Sequence, residues 1–381
     1  MKLDKKSIRE SIEAKAHDLG FSFISFTKPD QTPHYANYLD WVKEGLNASM
    51  AYLVNPSVIQ ARKNPASLLP EAKSVIVFGQ HYQFINHSNF DSRKYGVIAS
   101  YALYPDYHYH LKQKAGDLIA FIESLVGHQV GSKIFVDSSH MMEKDFAYQS
   151  GAGGIGKHSL LIVPHYGSNC MIGCIMTNLD LAEDSVELQN DLCQDCHLCI
   201  DACPTHCIKE NHTIDASRCI SYLTIENKGI IPHHLRKMIG NHIFGCDQCQ
   251  MVCPLNRDNG DFNILGLTSE DLVISGEIDL LEAITLTKES FENKFENTPI
   301  SRATYEMFLR NVIIAIGNSK STQYSGILKG LLERVESSMI RCHAVWALGE
   351  INGQKDKEYL ICLLMIEKDE NVIREISWFI N

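Results

Sequence analysis

The chain has 381 residues, 45% hydrophobic and 21% charged, which is ordinary globular composition and length for two or three domains. Lys and Arg number 35 against 46 Asp and Glu, a formal net charge of −11, which excludes a nucleic-acid binder held by overall field; such binding needs a local basic patch. No run of about 18 uninterrupted apolar residues exists, so no membrane span is expected, and the charged start from Met1 to Glu10 lacks the apolar core of a signal peptide.

Residues 5–19 place Ile8, Ile12 and Ala16 at helical spacing and predict an amphipathic helix; Phe21 to Phe26 then alternates as a strand does. Lys73 to Gly79 is a short apolar run after Pro70, hence a buried strand. Tyr107 to Val126 sets Leu111, Ala115, Leu118, Ile119 and Ile122 on one face, a helix stopped by Gly127. Ile134 to Asp137 predicts another strand, followed by a short helix over 141–149. Leu160 to Val163 and Met171 to Thr177 predict two more strands. The first half therefore reads as α/β with a mixed sheet.

Beyond Pro254, several short helical patterns occupy 261–300. Then Arg310 to Gly317 recurs as Arg341 to Gly349. The triplets Ala315-Ile316-Gly317 and Ala347-Leu348-Gly349 end 32 residues apart, and Val372 to Glu375 opens a third partial copy. That period fits helix-pair repeats, each burying its face on the next. Two unrelated amphipathic helices are the blander alternative; the matching Arg and Gly positions favour the repeat.

The densest chemistry lies between Cys193 and Pro254. Cys193, Cys196, Cys199 and Cys203, followed by Pro204, spell C-x2-C-x2-C-x3-C-P, the run with which bacterial ferredoxins hold iron–sulfur clusters. Cys246, Cys249, Cys253 and Pro254 repeat its later part, without the first cysteine. Cys219 and Cys207 are the spare cysteines between the runs. In two-cluster ferredoxins the fourth cysteine of each run crosses to the other cluster. One cluster is thus expected on Cys193, Cys196, Cys199 and Cys253, the other on Cys203, Cys219, Cys246 and Cys249. Soft thiolates at short spacing also suit zinc. The triple C-x2-C-x2-C and the Cys-Pro endings favour iron–sulfur. Most of the thirteen cysteines sit in cluster spacing, which points to a reducing cytoplasm. Cys170, Cys174, Cys207, Cys342 and Cys362 read as small buried residues.

Gly151, Gly153 and Gly156 satisfy G-x-G-x-x-G, but Glu143 to Gln149 before them is helical, not a strand, so a dinucleotide site is rejected. His158 after Gly156-Lys157 stands where a phosphate loop needs Ser or Thr, so ATP is rejected too. The glycines do permit close backbone approach to a bulky ligand. Asp137 ends a strand, where either a functional group or a capping Asp is found. Tyr104 to His110 is dense in polar aromatics: either a ligand wall, or a helix start capped by Asp106. Arg62, in the turn Arg62-Lys63-Asn64-Pro65, binds an anionic group or is merely solvated.

Together these residues resemble the epoxyqueuosine reductases, cobalamin-dependent iron–sulfur enzymes of tRNA modification. The resemblance spans nearly the whole chain. It rests on Pro105-Asp106-Tyr107-His108, Val136-Asp137-Ser138, Gly156 to Ile162, both cysteine runs, Asp215 to Glu226 and Gly245 to Gln250. Where that family often has Gly before Asp-Tyr-His, Trp before Ile155 and Asn at 158, this chain has Pro105, Gly154 and His158.

The resemblance implies an α+β multidomain fold. Residues 1–180 would form an N-terminal α/β cobalamin-binding catalytic domain. Residues 181–260 would form a bacterial-ferredoxin-like domain with two 4Fe–4S clusters, and 261–381 an all-α domain of HEAT-like repeats, the tRNA platform. The implied reaction is the last step of queuosine biosynthesis, reduction of epoxyqueuosine to queuosine at the tRNA wobble position. It takes two electrons and two protons, and water leaves. Electrons would pass from the clusters to cobalamin and on to the epoxide. Asp137 would be the general acid, its pKa raised by burial. Cobalamin would contact Arg62, Tyr101, Asp137, His158, Ser159, Ser168, Ser221, Asp247 and Gln248.

Two groups of basic residues are candidates for tRNA: Lys228, His233, His234, Arg236 and Lys237, and Lys294, Arg302, Arg310, Lys320 and Arg341. Arg310 and Arg341 sit at repeat positions and read as structural, so Lys228, Lys294 and Arg302 are the expected phosphate contacts. The expected partners are tRNA carrying epoxyqueuosine and an external electron donor, with no membrane, the protein being a monomer. A reductive dehalogenase-like enzyme on a small organohalide and a non-enzymatic electron carrier are the alternatives. The repeats favour a macromolecular substrate, and the large α/β half exceeds what a carrier needs.

Overall fold

The strand Ser74–Tyr82 is buried at every position, as its continuous apolar run requires. In this computed structural model, which describes residues 4–85, 91–137, 140–183, 186–256 and 265–380, that strand is the axis of an antiparallel sheet. Phe23–Thr27 pairs with it on one side and Cys170–Thr177 on the other, with Ser132–Phe135 beyond. The short strand Gly266–Leu267 adds the one parallel pairing of this sheet, against His81 and Tyr82. Ser138 and residues 261–264 lie outside the described residues.

The chain falls into two compact units. The first comprises Met1–Phe84, Tyr104–Ser217 and Asp247–Leu272; the second comprises Ile85–Leu103, Arg218–Cys246 and Val273–Asn381.

In the first unit, alternation along Ser74–Tyr82 sends Val75 and Val77 to one face and Ile76 and Phe78 to the other. Val75 and Val77 meet Phe146 and Ala147 of the helix Glu143–Gln149, in a core that also holds Met141, Leu161, Val163, Cys174 and Met176. On the opposite face the Phe78 ring lies 4.7 Å from that of Phe21, which follows the helix Lys5–Asp18. That helix packs on Tyr107–Val126. Asp4 caps Lys5–Asp18, and Asp106 caps Tyr107–Val126 by accepting from the His108 N–H. Gly127 ends the second helix in the left-handed region, with φ 77°.

In the glycine-rich turn, Gly154–Ile155 pairs with Leu161–Ile162 as a small hairpin. A Cβ on Gly153 would lie 2.3 Å from the Ile162 carbonyl oxygen, and one on Gly154 2.5 Å from that of Gln189. These two glycines let the chain pack closely against itself. The helix Glu143–Gln149 precedes them, as expected. Cys362 departs from expectation: it is exposed, and Cys170 is half-buried, while Cys174, Cys207 and Cys342 are buried.

The second unit holds a three-stranded sheet. Tyr95–Ile98 pairs antiparallel with Glu277–Asp279 and parallel with His242–Phe244. The helix Tyr305–Ser319 packs on His242–Phe244, and the helices Ser325–Arg334, Ser338–Asn352, Lys357–Leu364 and Glu370–Ile380 follow it in the chain. Tyr305–Ser319 packs on Ser338–Asn352, and that helix packs on Glu370–Ile380. A Cβ on Gly317 would come within 2.5 Å of Trp346, and one on Gly349 within 2.3 Å of Phe379. The two glycines matched in the sequence therefore do the same thing: each lets its helix approach the next. Among the described residues no helix is long and apolar enough to cross a membrane.

Candidate active site and cluster ligands

Asp137 sits two residues past the strand Ser132–Phe135, with φ 49°. A left-handed backbone at a non-glycine residue costs about 1–3 kcal/mol and persists where surroundings enforce it. Two consecutive side chains at the start of Tyr107–Val126 supply that hold. The Tyr107 hydroxyl donates to Asp137 Oδ2 at 2.6 Å, and His108 Nε2 lies 3.2 Å from the same oxygen. Behind it, His108 Nδ1 lies 2.6 Å from Asp106 Oδ1. Both imidazole nitrogens thus face carboxylate oxygens, and only the imidazolium donates from both. Asp106 and His108 are buried. The Asp137 side chain is 56% exposed. Burial by the protein alone, expected from the sequence, is therefore not what surrounds this carboxyl; a bound ligand would have to cover it.

Lys144 lies within electrostatic reach of Asp137, Arg62 and His158, and its Nζ donates to the Ser159 carbonyl at 2.7 Å. His158 is buried. Its Nδ1 accepts from the Leu160 N–H at 3.2 Å, while its Nε2 has no hydrogen-bond partner among the described residues. Burial first, then the charges of Lys144 and His212, push its pKa down to about 4, so the ring is neutral and its Nε2–H is an orphaned donor. Arg62, in the last turn of Pro56–Lys63, stacks its guanidinium 4.5 Å from the Tyr38 ring, and its Nε is likewise buried without a partner. A buried unsatisfied donor costs about 1–3 kcal/mol. Two of them in the neighbourhood of Asp137 mark a place built for a polar ligand, and they fit a large amide-rimmed cofactor such as cobalamin.

The other residues expected at the cofactor are differently placed. Ser159, at φ 66°, donates its Oγ to the His212 carbonyl at 2.6 Å. Ser168 is buried and donates to Gln250 Oε1 at 3.0 Å, while Asn256 donates to Ser168 Oγ at 2.8 Å. Asp247 is buried at the start of the short helix Gln248–Met251, and Gln250 Nε2 donates to it at 3.5 Å. Gln248 opens that helix. These first-unit residues tie the 165–169 turn to the second cysteine run. Tyr101 and Ser221 belong to the second unit, Tyr101 with its ring 6.4 Å from Phe244 and Ser221 in the first turn of Ile220–Ile225. Sequence reasoning gave no role to Lys144, Gln250 or Asn256, and it quoted Tyr107 and His108 as polar aromatics and as part of the family resemblance without joining them to Asp137. The Asp-x-His spacing at a helix start was the available signal.

Cys193, Cys196, Cys199 and Cys253 converge in the first unit. Burial, and then the neighbouring Cys193, Cys253 and Cys196 thiolates, push Cys199 up to about 11; burial and then Cys193 and Cys196 raise Cys253. Thiolates that repel one another in this way fit a site that an iron–sulfur centre would neutralise. The Lys157 N–H donates to Cys193 Sγ at 3.3 Å. Cys203 and Cys249 are also in the first unit, Cys219 and Cys246 in the second. Cys207, which falls outside both runs, is not remote from the ligands: its N–H donates to Cys203 Sγ at 3.4 Å, and the two Sγ atoms are 3.4 Å apart.

Of the basic candidates, Lys228 is exposed on a loop and Arg302 is exposed at the end of Pro299–Arg302. Lys294 is exposed but paired with Glu282 at 2.7 Å. Lys237 pairs with Glu350 at 3.0 Å, and Lys320 pairs with the same carboxylate. Arg236 is buried against Glu375 at 2.9 Å, and Arg341 binds Glu367 at 2.9 Å. Arg310 is wholly buried. His233 stacks on Trp378 at 4.6 Å.

Residues 62–138 match a family model described as "Epoxyqueuosine reductase QueG, DUF1730", and residues 192–256 match "4Fe-4S double cluster binding domain". An epoxyqueuosine reductase of Aliivibrio fischeri is 33% identical over 99% of this chain and 98% of its own length. One of Francisella cf. novicida is 35% identical over 89% of this chain and 94% of its own. A crystal structure of epoxyqueuosine reductase with a tRNA-Tyr epoxyqueuosine-modified stem loop superposes with a TM-score of 0.88 at 28% identity, covering 99% of both chains. The structure of the Streptococcus thermophilus enzyme superposes with a TM-score of 0.83 at 30% identity over 98% of both.

Proposed function

This chain belongs to the epoxyqueuosine reductase family, and from that premise we propose how its own residues perform the reaction. It is an oxidoreductase of tRNA modification, reducing epoxyqueuosine to queuosine at the wobble position. The observation that carries the mechanism is the Asp106–His108–Asp137–Tyr107 constellation on a strained backbone. Opening an epoxide to an alkene puts negative charge on the departing oxygen, which leaves as water after two protonations. Once protonated, Asp137 would give the first proton. The His108 imidazolium, held by Asp106, replaces it, and the Tyr107 hydroxyl fixes the carboxyl's orientation. Covering of Asp137 by substrate and cofactor would favour its protonated form.

Cobalamin, when bound, would supply a low-valent metal centre that accepts single electrons and delivers two-electron reduction. Arg62 and His158 would give it their orphaned N–H donors. Tyr101, Ser159, Ser168, Ser221, Asp247 and Gln248 are the further proposed contacts. Cys193, Cys196, Cys199 and Cys253 would hold one 4Fe–4S cluster, and Cys203, Cys219, Cys246 and Cys249 the other. By this reading residues 1–180 are the cobalamin-binding catalytic domain, 181–260 the ferredoxin-like domain and 261–381 a HEAT-like tRNA platform. The protein works in the cytoplasm as a monomer fed by an external electron donor. The recurrent packing of Gly317 and Gly349 supports the repeat assignment.

The test is anaerobic reconstitution with iron, sulfide and cobalamin, followed by iron and cobalt counting and assay on an epoxyqueuosine stem loop and on a bromophenol. Conversion of the stem loop alone is expected. Debromination without stem-loop turnover would move the protein to the dehalogenase-like reading. Full clusters without cobalt uptake or turnover would leave an electron carrier.

A further inference from the structure

Arg310 is a buried cation whose donors are spent on oxygens that carry no formal charge. Its Nη1 donates to the carbonyls of Asn227 at 2.6 Å and Gly229 at 2.8 Å, and its Nη2 to that of Leu223 at 2.7 Å. Nε and Nη2 also reach Asn311 Oδ1, at 3.1 and 2.9 Å. That orients the Asn311 amide, whose Nδ2 donates to the carbonyls of Thr224 and Ile243, both at 2.8 Å. Two turns along the same helix, Asn318 Nδ2 donates to the carbonyls of Arg236 at 2.8 Å and Gly240 at 2.7 Å.

All seven carbonyls belong to one segment, Arg218–Cys246. Leu223 and Thr224 close the helix Ile220–Ile225, where carbonyls lack partners within the helix. Arg236 and Gly240 do the same for His233–Ile239, and Ile243 lies in His242–Phe244. Cys219 is the residue immediately before the first of these elements, and Cys246 follows the last by two residues. A direct tie joins the two ends: the Gly245 N–H donates to Thr224 Oγ1 at 2.9 Å. The Thr224 carbonyl and the Gly245 turn thus share one set of bonds, and Asn311 is part of it.

We propose that Arg310 and Asn311 are positioning residues for the second iron–sulfur cluster, acting through these carbonyls to fix Cys219 relative to Cys246. The inference rests on the reading that those two cysteines are ligands of that cluster. A guanidinium suits the task because its planar fork reaches three carbonyls in different directions at once. A lysine ammonium offers its donors from a single atom and cannot span them. Asn318 is the internal contrast. It caps with similar bonds, but at the end of the helix His233–Ile239, outside the set of bonds that joins Thr224, Ile243 and Gly245.

The experiment uses the full chain, reconstituted anaerobically, in the variants Arg310→Lys, Asn311→Ala, Asn318→Ala and Cys219→Ala. Iron content, electron paramagnetic resonance of the reduced protein and far-ultraviolet circular dichroism are read for each. Two 4Fe–4S clusters correspond to about eight irons per chain. Arg310→Lys and Asn311→Ala are expected to fall toward about four, or to keep the second cluster with a shifted midpoint potential, while circular dichroism stays unchanged. Asn318→Ala is expected to keep both clusters unshifted. Full iron with unshifted spectra in both Arg310→Lys and Asn311→Ala overturns the proposal, and so does an Asn318→Ala variant that loses the second cluster equally. Should Arg310→Lys not fold, Asn311→Ala decides by the same criteria. Cys219→Ala separates the two levels: retention of both complete clusters there overturns the ligand sorting itself, rather than the role of the helix.

Discussion

Around Asp137 and around Arg310 the chain sets charged side chains among backbone and polar groups, with opposite degrees of completion. Arg310 is out of water, and its donors meet carbonyls at hydrogen-bonding distance. The Asp137 carboxyl is more than half exposed on a left-handed backbone, in a neighbourhood where His158 Nε2 and Arg62 Nε find no partner. A fully satisfied polar network holds a structure in one state; an unfinished one waits for something else to finish it. The same hydrogen-bond accounting thus sets these two centres apart without reference to any relative.

The sharpest way to break that contrast is to change each centre conservatively. Asp137→Asn keeps shape and tolerates positive φ, but it has no carboxyl proton. Turnover should fall roughly 10²–10⁴-fold, while Tm and both cluster spectra stay where they are. Near-normal single-turnover rates would reduce Asp137 to a turn residue. Arg310→Met should do the reverse, lowering stability by about 2–4 kcal/mol because several carbonyls lose their donors together. Denaturant unfolding measures this, and an unchanged midpoint would refute the scaffold role.

His108→Gln comes next. It keeps one donor toward Asp137 and loses the imidazolium that connects to Asp106. The lost charge-assisted bond is worth about 1.5–3 kcal/mol, or roughly a tenfold to hundredfold drop in kcat. Stem-loop affinity should not move; a change confined to affinity would place His108 in binding instead. A smaller effect is expected at the surface. Lys228→Ala should lower the slope of stem-loop affinity against salt by about one unit. Lys294→Ala should lower it less, because Glu282 already offsets that charge. Equal slopes in both variants and the unaltered protein would take the phosphate contacts elsewhere.

The smallest effect concerns His34, half-exposed, whose Nδ1 meets Asp145 Oδ1 at 2.5 Å. The Asp145 hydrogen bond raises its pKa above 6.5. Stabilisation from a raised histidine is complete below about 6.5 and disappears as pH climbs through the raised value. Screened by solvent, it is about 0.2–1 kcal/mol. His34→Ala should thus lower Tm at pH 6 and hardly at pH 9; an equal loss at both would assign the effect to packing on the Tyr148 ring.

Much of this contrast could be read from residues, and some could not, for definable reasons. Helix limits were legible where a cap announces them, as at Asp106 and Gly127. The central strand was legible because Val75 to Phe78 has no polar interruption. The cysteine runs were legible because metal ligation fixes spacing. The grip of Tyr107 and His108 on Asp137 was not, since it joins residues about thirty positions apart through packing. The strain at Asp137 is invisible in a strand-end pattern. The use of the glycine turn was not legible, because close approach by a ligand and close approach by Ile162 ask for the same residue. Cys207 is the small buried residue expected, but its spacing, which belongs to neither run, did not show that a tight turn returns its sulfur to Cys203. Arg310 and Arg341 were separable from surface cations only by their recurrence.

The clamp on Arg218–Cys246 also has a meaning in time. Arg310 follows Cys246 by 64 residues. At a synthesis rate of about 5–20 residues per second, it is made roughly 3–13 seconds later. Once Cys253 is made, seven residues into that stretch, every cysteine of both runs exists, while the carbonyls behind Cys219 and before Cys246 still await the donors of Arg310 and Asn311. If the ligands sort as proposed, a nascent chain could assemble the site around Cys193, Cys196, Cys199 and Cys253 first, with Cys219 and Cys246 fixed only when the helix carrying Arg310 emerges. Ribosomes stalled before that helix would then carry chains in which Cys219 and Cys246 are not yet held relative to one another.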